Sequence, residues 1–304
     1  MNDDRRSHEA SILRAFFDDQ LQHLHQLVSN LSSHIHDAEL QANEDRQIVE
    51  SFVDASNTKM RAVRGYSDKL SEHVRALHRH VLQVADQIPP PVDLNRDAFE
   101  SDPLVNALFV NSKDIEKLFA TDPDAKVYLR SRSKNQAPVL YALLTAVKSE
   151  KRMLGMDMHG DMLIREVPQQ AVNFSLHKIH APCSGGAELS TALKEYLFGS
   201  VVELVKREMV SRMASHQSFN RSDDSYESKV KSLANPDVYL NALLGYIEAP
   251  DKLLSIDKTH FKLSKLGIKL EDDDSGQRAN EFDIHELTWS NDTRNVVLQI
   301  AYVR

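Results

Sequence analysis

The chain has 304 residues and one cysteine, Cys183. A single thiol excludes an intramolecular disulfide and any zinc site built on a cysteine cluster. Glycine is scarce, nine residues in all, and no glycine loop is built to cradle phosphate. Gly185-Gly186 precedes a helical pattern but lacks the lysine and hydroxyl that complete a P-loop. No G-x-S-x-G elbow occurs, which removes the α/β-hydrolase nucleophile. Long apolar runs are missing as well. The longest, Val139 to Val147, is far short of the roughly 20 residues a membrane helix needs. No secretory hydrophobic region follows the polar start Met1 to Arg6, so the expected compartment is the cytoplasm. Surplus positive charge is also lacking. Lys plus Arg number 37 against 45 Asp plus Glu, a net charge of -8, which argues against a general polyanion binder and makes a nucleic-acid partner unexpected. With 41% hydrophobic and 27% charged residues, the composition is that of a soluble, folded chain.

Proline is absent from His8 to Ile88, and Gly65 is the only glycine there. Apolar residues recur at steps of three and four: Leu13, Phe17, Leu21, Leu24, Val28, Leu31, Ile35, then Val49, Phe52, Val63, Leu70, Val74, Leu77, Val81, Val84 and Ile88. That spacing predicts a helix with a narrow, coiled-coil-like stripe. Such a stripe needs a partner, because one isolated helix cannot bury it. The expected partner is a second copy, with Leu24, Leu31, Ile35, Leu77, Val81 and Val84 at the dimer interface. Asp45, Ser56 and Lys59 fall on the stripe and weaken it. They leave open a hairpin that folds back near Asp54 to Thr58.

The prolines Pro89, Pro90 and Pro91 end the helix, and residues 89–100 read as an extended spacer. Asp102-Pro103 and Asp122-Pro123 are each an N-cap followed by proline at the first helical position. They predict short helices at 103–110 and 123–131, with another at 113–120. Val139 to Val147 has the length and composition of a doubly buried strand. Alternation through Leu154, Met156, Met158, then Met162 and Ile164, then Val172, Phe174 and Leu176 predicts a four-stranded meander, with a turn at His159-Gly160-Asp161. A helix over 187–215, another opening at Asn235-Pro236 and a final group of strands complete the chain. The expected fold is therefore α+β. A helical coiled-coil arm (1–88) leads through the linker (89–100) to a globular domain (101–304) of mostly antiparallel sheet with packed helices.

Chemistry-bearing residues are many but poorly arranged. The helical histidines pair at i,i+2 (His23 with His25, His34 with His36, His78 with His80) and point to different sides of a helix. Metal binding on a helix needs i,i+3 or i,i+4 spacing, so neither metal nor cofactor is expected. Cys183 follows His177 and His180 and precedes a helix, where a thiolate would be favoured. A lone cysteine is more often a small buried hydrophobe. Asp157, His159, Asp161 and Arg165 crowd one hairpin, where charged residues ordinarily cover an exposed sheet face. The basic stripe from Lys59 to Arg79 is of the kind routinely solvated on coiled coils. The chain therefore reads as a non-enzymatic interaction protein, a dimer through residues 8–88 that binds a partner or small ligand with its C-terminal domain. The alternatives are an enzyme with a site on 153–183 (His159, Asp161, Cys183) and a nucleic-acid-associated protein using residues 59–79.

Overall fold

A computed structural model describes residues 38–131, 139–159, 162–218, 235–264, 266–270 and 279–303. The chain forms two compact units. The first takes Met1–Gln83 and Lys194–Leu253, the second Val84–Leu193 and Leu254–Arg304. Residues 194–253 group with the N-terminal helices in the first unit.

In the first unit, α1 (Ala38–Ser56) ends at a break and α2 (Tyr66–Asp86) begins after it. The break has local causes. Ser56 Oγ donates to the Phe52 carbonyl at 2.6 Å, competing with the helix ladder. Asn57 is extended and caps a 3-10 turn, Thr58–Ala62, by accepting from Lys59 N. Gly65 takes φ +68, a left-handed conformation that glycine adopts without strain. The chain then folds back. Tyr66 OH donates to Glu50 Oε1 at 2.5 Å and Arg75 Nη1 lies 3.2 Å from Asp45 Oδ2, so α1 and α2 run antiparallel. The hairpin that the weak positions left open is the form seen from Ala38 to Asp86. Its stripe is buried within one chain: Leu77 and Val81 are 0% exposed and Val84 2%. Leu24, Leu31 and Ile35 lie outside the described residues.

The same unit holds the later part of α7 (Gly186–Ser218), then α8 (Pro236–Ile247) and the one-turn α9 (Pro250–Leu253). Val201, Val202, Glu203, Leu204 and Val205 are buried in succession, the mark of an interior helix.

The second unit is built on a sheet of order β3-β2-β6-β5-β4, with β2 (Val139–His159), β3 (Met162–Cys183), β4 (Leu254–Ser264), β5 (Ala279–Trp289) and β6 (Arg294–Val303). All pairs among these are antiparallel. A short β1 (Val92–Asp93) adds in parallel to β6 at Ile300 and Ala301. The stretch expected to be a spacer is thus part of the fold. Val92 and Leu94 find the edge of β6 that β5 leaves open, Leu94 N donates to the Ala301 carbonyl at 2.8 Å, and α3 (Arg96–Ser101) follows under an Asn95 cap.

Helices α4 (Pro103–Leu108), α5 (Ser112–Thr121) and α6 (Pro123–Ser131) cover one sheet face. Val105, Leu108, Ile115 and Phe119 share a core with Leu140, Leu144, Phe174, Phe261, Ile284 and Ile300. Asp102 caps α4 by accepting from Leu104 N and Val105 N. Asp122 caps α6.

The expected four-stranded meander is instead two long strands. Nothing between Val147 and Leu154 turns the chain, and Pro168 is accommodated opposite Leu154 at an outer edge, where the missing N–H costs no ladder bond. Three register shifts interrupt the pairing. Each coincides with a left-handed residue on β3: Ala181 (φ 50), Leu176 (φ 52) and Glu166 (φ 61). These are β-bulges, which bend and twist a ribbon. Leu176 is 72% exposed, so its side chain contributes little packing to offset the backbone strain. Leu176→Gly is therefore expected to raise stability by about 0.5–1 kcal/mol, relief of the left-handed cost net of glycine's extra unfolded entropy. The urea midpoint would rise; a midpoint unchanged or lower would show that the bulge is unstrained.

Candidate interaction surface

The residues named for an enzyme site are not brought together. Cys183 pairs opposite Tyr141 at the base of the β2–β3 hairpin, and His159 pairs opposite Met162 at its tip. The path between them along β2 is on the order of 60 Å. Asp161 lies outside the described residues. Arg165 pairs opposite Met156.

Cys183 is buried. Burial pushes its thiol up to about 11, against a weaker opposing backbone hydrogen bond of Gly185. It is a protonated packing group at neutral pH, the reverse of an activated thiolate. His177 stacks on Phe109 at 4.7 Å, and His180 Nε2 lies 3.0 Å from Thr145 Oγ1. Among the described residues no three His, Cys, Asp or Glu side chains gather as a metal site.

Part of the basic stripe is answered within the chain. Arg61 lies 2.7 Å from both Glu50 and Asp54, and Arg75 pairs with Asp45. The Tyr66 hydroxyl, ahead of Arg61, holds Glu50 below the usual carboxylate range. A phosphate backbone would have to compete with these carboxylates for Arg61 and Arg75.

His78 meets Phe198 edge-on at 5.0 Å. Burial pushes its pKa down from 6.5, opposed by Asp45. Burial likewise lowers His177, opposed by the Leu108 carbonyl and Asp114. Both rings bind a proton more readily unfolded than folded, so stability falls as pH drops from about 6.5 toward the lowered folded values. The urea midpoint should decline between about pH 7.5 and 5.5. His78→Gln should flatten that decline. An identical slope in the variant would remove His78 as a cause.

A groove of about 820 Å³ opens in the second unit. Its floor is Ile115, Phe119, Leu129 and Tyr302, with Lys126 and Arg130 on the rim. The two floor rings stack on each other at 3.7 Å and are buried, so they offer no open face to a ligand.

The surface that stands out is the distal hairpin. Strand β2 pairs with β6 only from Val139 to Ala146. Beyond that, residues 147–159 pair with β3 alone, a two-stranded ribbon roughly 40 Å long. At its base Lys148 Nζ is 3.1 Å from the buried Glu286 and 3.4 Å from Glu150. It also sits 5.3 Å from the centre of the Phe261 ring. These contacts tie the ribbon to the sheet. Farther out, Met153 (47%), Leu154 (67%), Met156 (62%), Met162 (71%) and Ile164 (43%) are exposed. By strand alternation Leu154 and Met156 lie on one face, and Met153, Met162 and Ile164 on the other. Apolar residues on both faces of a solvated ribbon run against ordinary strand patterning, in which one face is polar. Sequence alternation alone marks these residues as half-buried; their exposure follows from where β6 stops.

No protein-family model, curated protein or solved structure matches this chain. No helix among the described residues is long and apolar enough to cross a membrane.

Proposed function

We propose that this chain is a non-enzymatic interaction protein whose contact element is the distal β2–β3 ribbon. One observation carries the reading: five large apolar side chains concentrated on a projecting ribbon, each between 43% and 71% exposed. Exposed apolar side chains concentrated in this way mark contact sites, and methionine-rich surfaces adapt readily to a partner. The burial of Cys183 and its separation along β2 from His159 favour this reading over the enzyme alternative. Self-association through the N-terminal stripe would rest on Leu24, Leu31 and Ile35, since Leu77, Val81 and Val84 are already covered within one chain.

A photo-crosslinking residue at Met156, in the full chain expressed in cells, tests the proposal. The expected result is one discrete adduct, absent when the same residue replaces Leu266, an isolated position 87% exposed. The adduct should also vanish when Leu154 and Met162 become lysine with the melting curve unchanged. No adduct, or the same pattern at both positions, would sink the reading.

A further inference from the structure

We propose that the ribbon's occupant is a second copy of this chain, added antiparallel to the open edge of β2 across a two-fold axis near Leu154. This inference rests on the interaction reading and names the partner.

The first step is the direction of the backbone groups. In an antiparallel ladder, directly opposite residues turn their N–H and C=O groups either both toward each other or both away. Val172, opposite Glu150, donates its N–H outward to Gly267. Gln170, opposite Arg152, accepts outward from Lys269. Pro168, opposite Leu154, has no N–H to give. Glu150, Arg152 and Leu154 therefore aim their N–H and C=O groups away from β3, at an edge where β6 has already ended.

The second step is the asymmetry of the two edges. The outer edge of β3 carries Pro168, two bulges at Glu166 and Leu176, and the contacts from Gly267 and Lys269. Such features block strand addition. Strand β2 has neither proline nor left-handed residue from Val147 to His159. Of the ribbon's two edges, among the described residues, that of β2 is the one open to a further strand.

The third step is self-complementarity. With the axis at Leu154, that residue meets its own copy and Met153 falls opposite Gly155, over which the Gln169 side chain lies. Arg152 falls opposite Met156, and Lys151 opposite position 157, an aspartate. The apolar centre is thus flanked on both sides by a cation facing a carboxylate position, and symmetry makes the pair twice. Opposite-charge cross-strand pairs are favourable and like charges are not.

The test uses the full chain with Cys183→Ala and Leu154→Cys. Hydrogen-bonded antiparallel partners sit about 5.5 Å apart at Cα, within disulfide range. Mild oxidation should convert most of the chain to a linked dimer, whereas Val110→Cys, at an 83% exposed site, should stay unlinked. Sedimentation should show a dimer for the parent chain and loss of that doubled mass in Leu154→Pro, which removes an outward donor and leaves the β2–β3 ladder intact. A circular dichroism melt confirms that the proline variant is folded. If it is not, Lys151→Glu should give the same loss of mass. Absence of linkage at position 154, equal linkage at 110, or a dimer that survives both Leu154→Pro and Lys151→Glu overturns the inference. A discrete crosslink at Met156 to a different protein would overturn self-pairing and keep the interaction reading. No crosslink there would remove both.

Discussion

Leu77→Ala is expected to cost about 3 kcal/mol, a loss relative to the parent chain that stays the same across a wide range of protein concentration. The size follows from burial. Leu77 is 0% exposed, and so are its stripe neighbours Val74 and Val81. Truncation leaves a cavity that helices held by Tyr66–Glu50 and Arg75–Asp45 contacts cannot fully close. The concentration test separates two origins of that burial. If Leu77 faced a second chain, melting would be linked to association, and the variant's loss would deepen on dilution. If it is covered within one chain, the loss is the same at every concentration. Val81→Ala should behave alike with a smaller loss. A Leu77→Ala protein that melts like the parent at high concentration and falls apart on dilution would restore the dimer seam.

The contrast at Leu77 shows what the sequence could and could not reveal. Periodicity correctly marks Leu70, Val74, Leu77 and Val81 as one buried stripe, because a 3.6-residue repeat is a local signal. What covers the stripe is not local. The break at Ser56-Asn57 and Gly65 is visible as polar and glycine positions, but several kinds of partner suit the same stripe. The grouping of residues 194–253 with the N-terminal helices has no local trace at all. Helix starts were the most legible feature. Asp102-Pro103, Asp122-Pro123 and Asn235-Pro236 each open a helix whose cap accepts the expected backbone N–H groups. The four-stranded reading takes Pro168 as a break between strands. On a projecting two-stranded element an edge proline is harmless, so it does not break the strand. The exposed face was illegible for the same reason. Alternation gives the faces of β2, while the end of its pairing with β6 at Ala146 decides which part of the strand is left uncovered.

Asp122→Ala should cost about 3 kcal/mol, as much as losing a large core side chain although only one carboxylate is removed. Asp122 is 9% exposed and serves two elements. Oδ1 accepts from Ala125 N at 3.0 Å and closes the first turn of α6. Oδ2 accepts from Ile179 N at 3.1 Å, on the side of β3 turned away from its pairing partner Leu144. The first bond is an N-cap, worth roughly 1–2 kcal/mol. The second satisfies a buried strand N–H between two bulges, at Leu176 and Ala181. Left unpaired, such a group costs roughly 1–3 kcal/mol. The two losses can be measured separately. Serine at 122 keeps a cap acceptor but cannot reach both donors, so Asp122→Ser should recover about 1 kcal/mol of the alanine loss. The remainder is the share of Ile179, and hydrogen exchange at that amide should speed up in both variants. Equal urea midpoints for the serine and alanine variants would mean the cap contributes nothing. An unchanged Ile179 exchange rate would mean that water replaces the carboxylate at the strand, and that the link between α6 and β3 is held by side-chain packing alone.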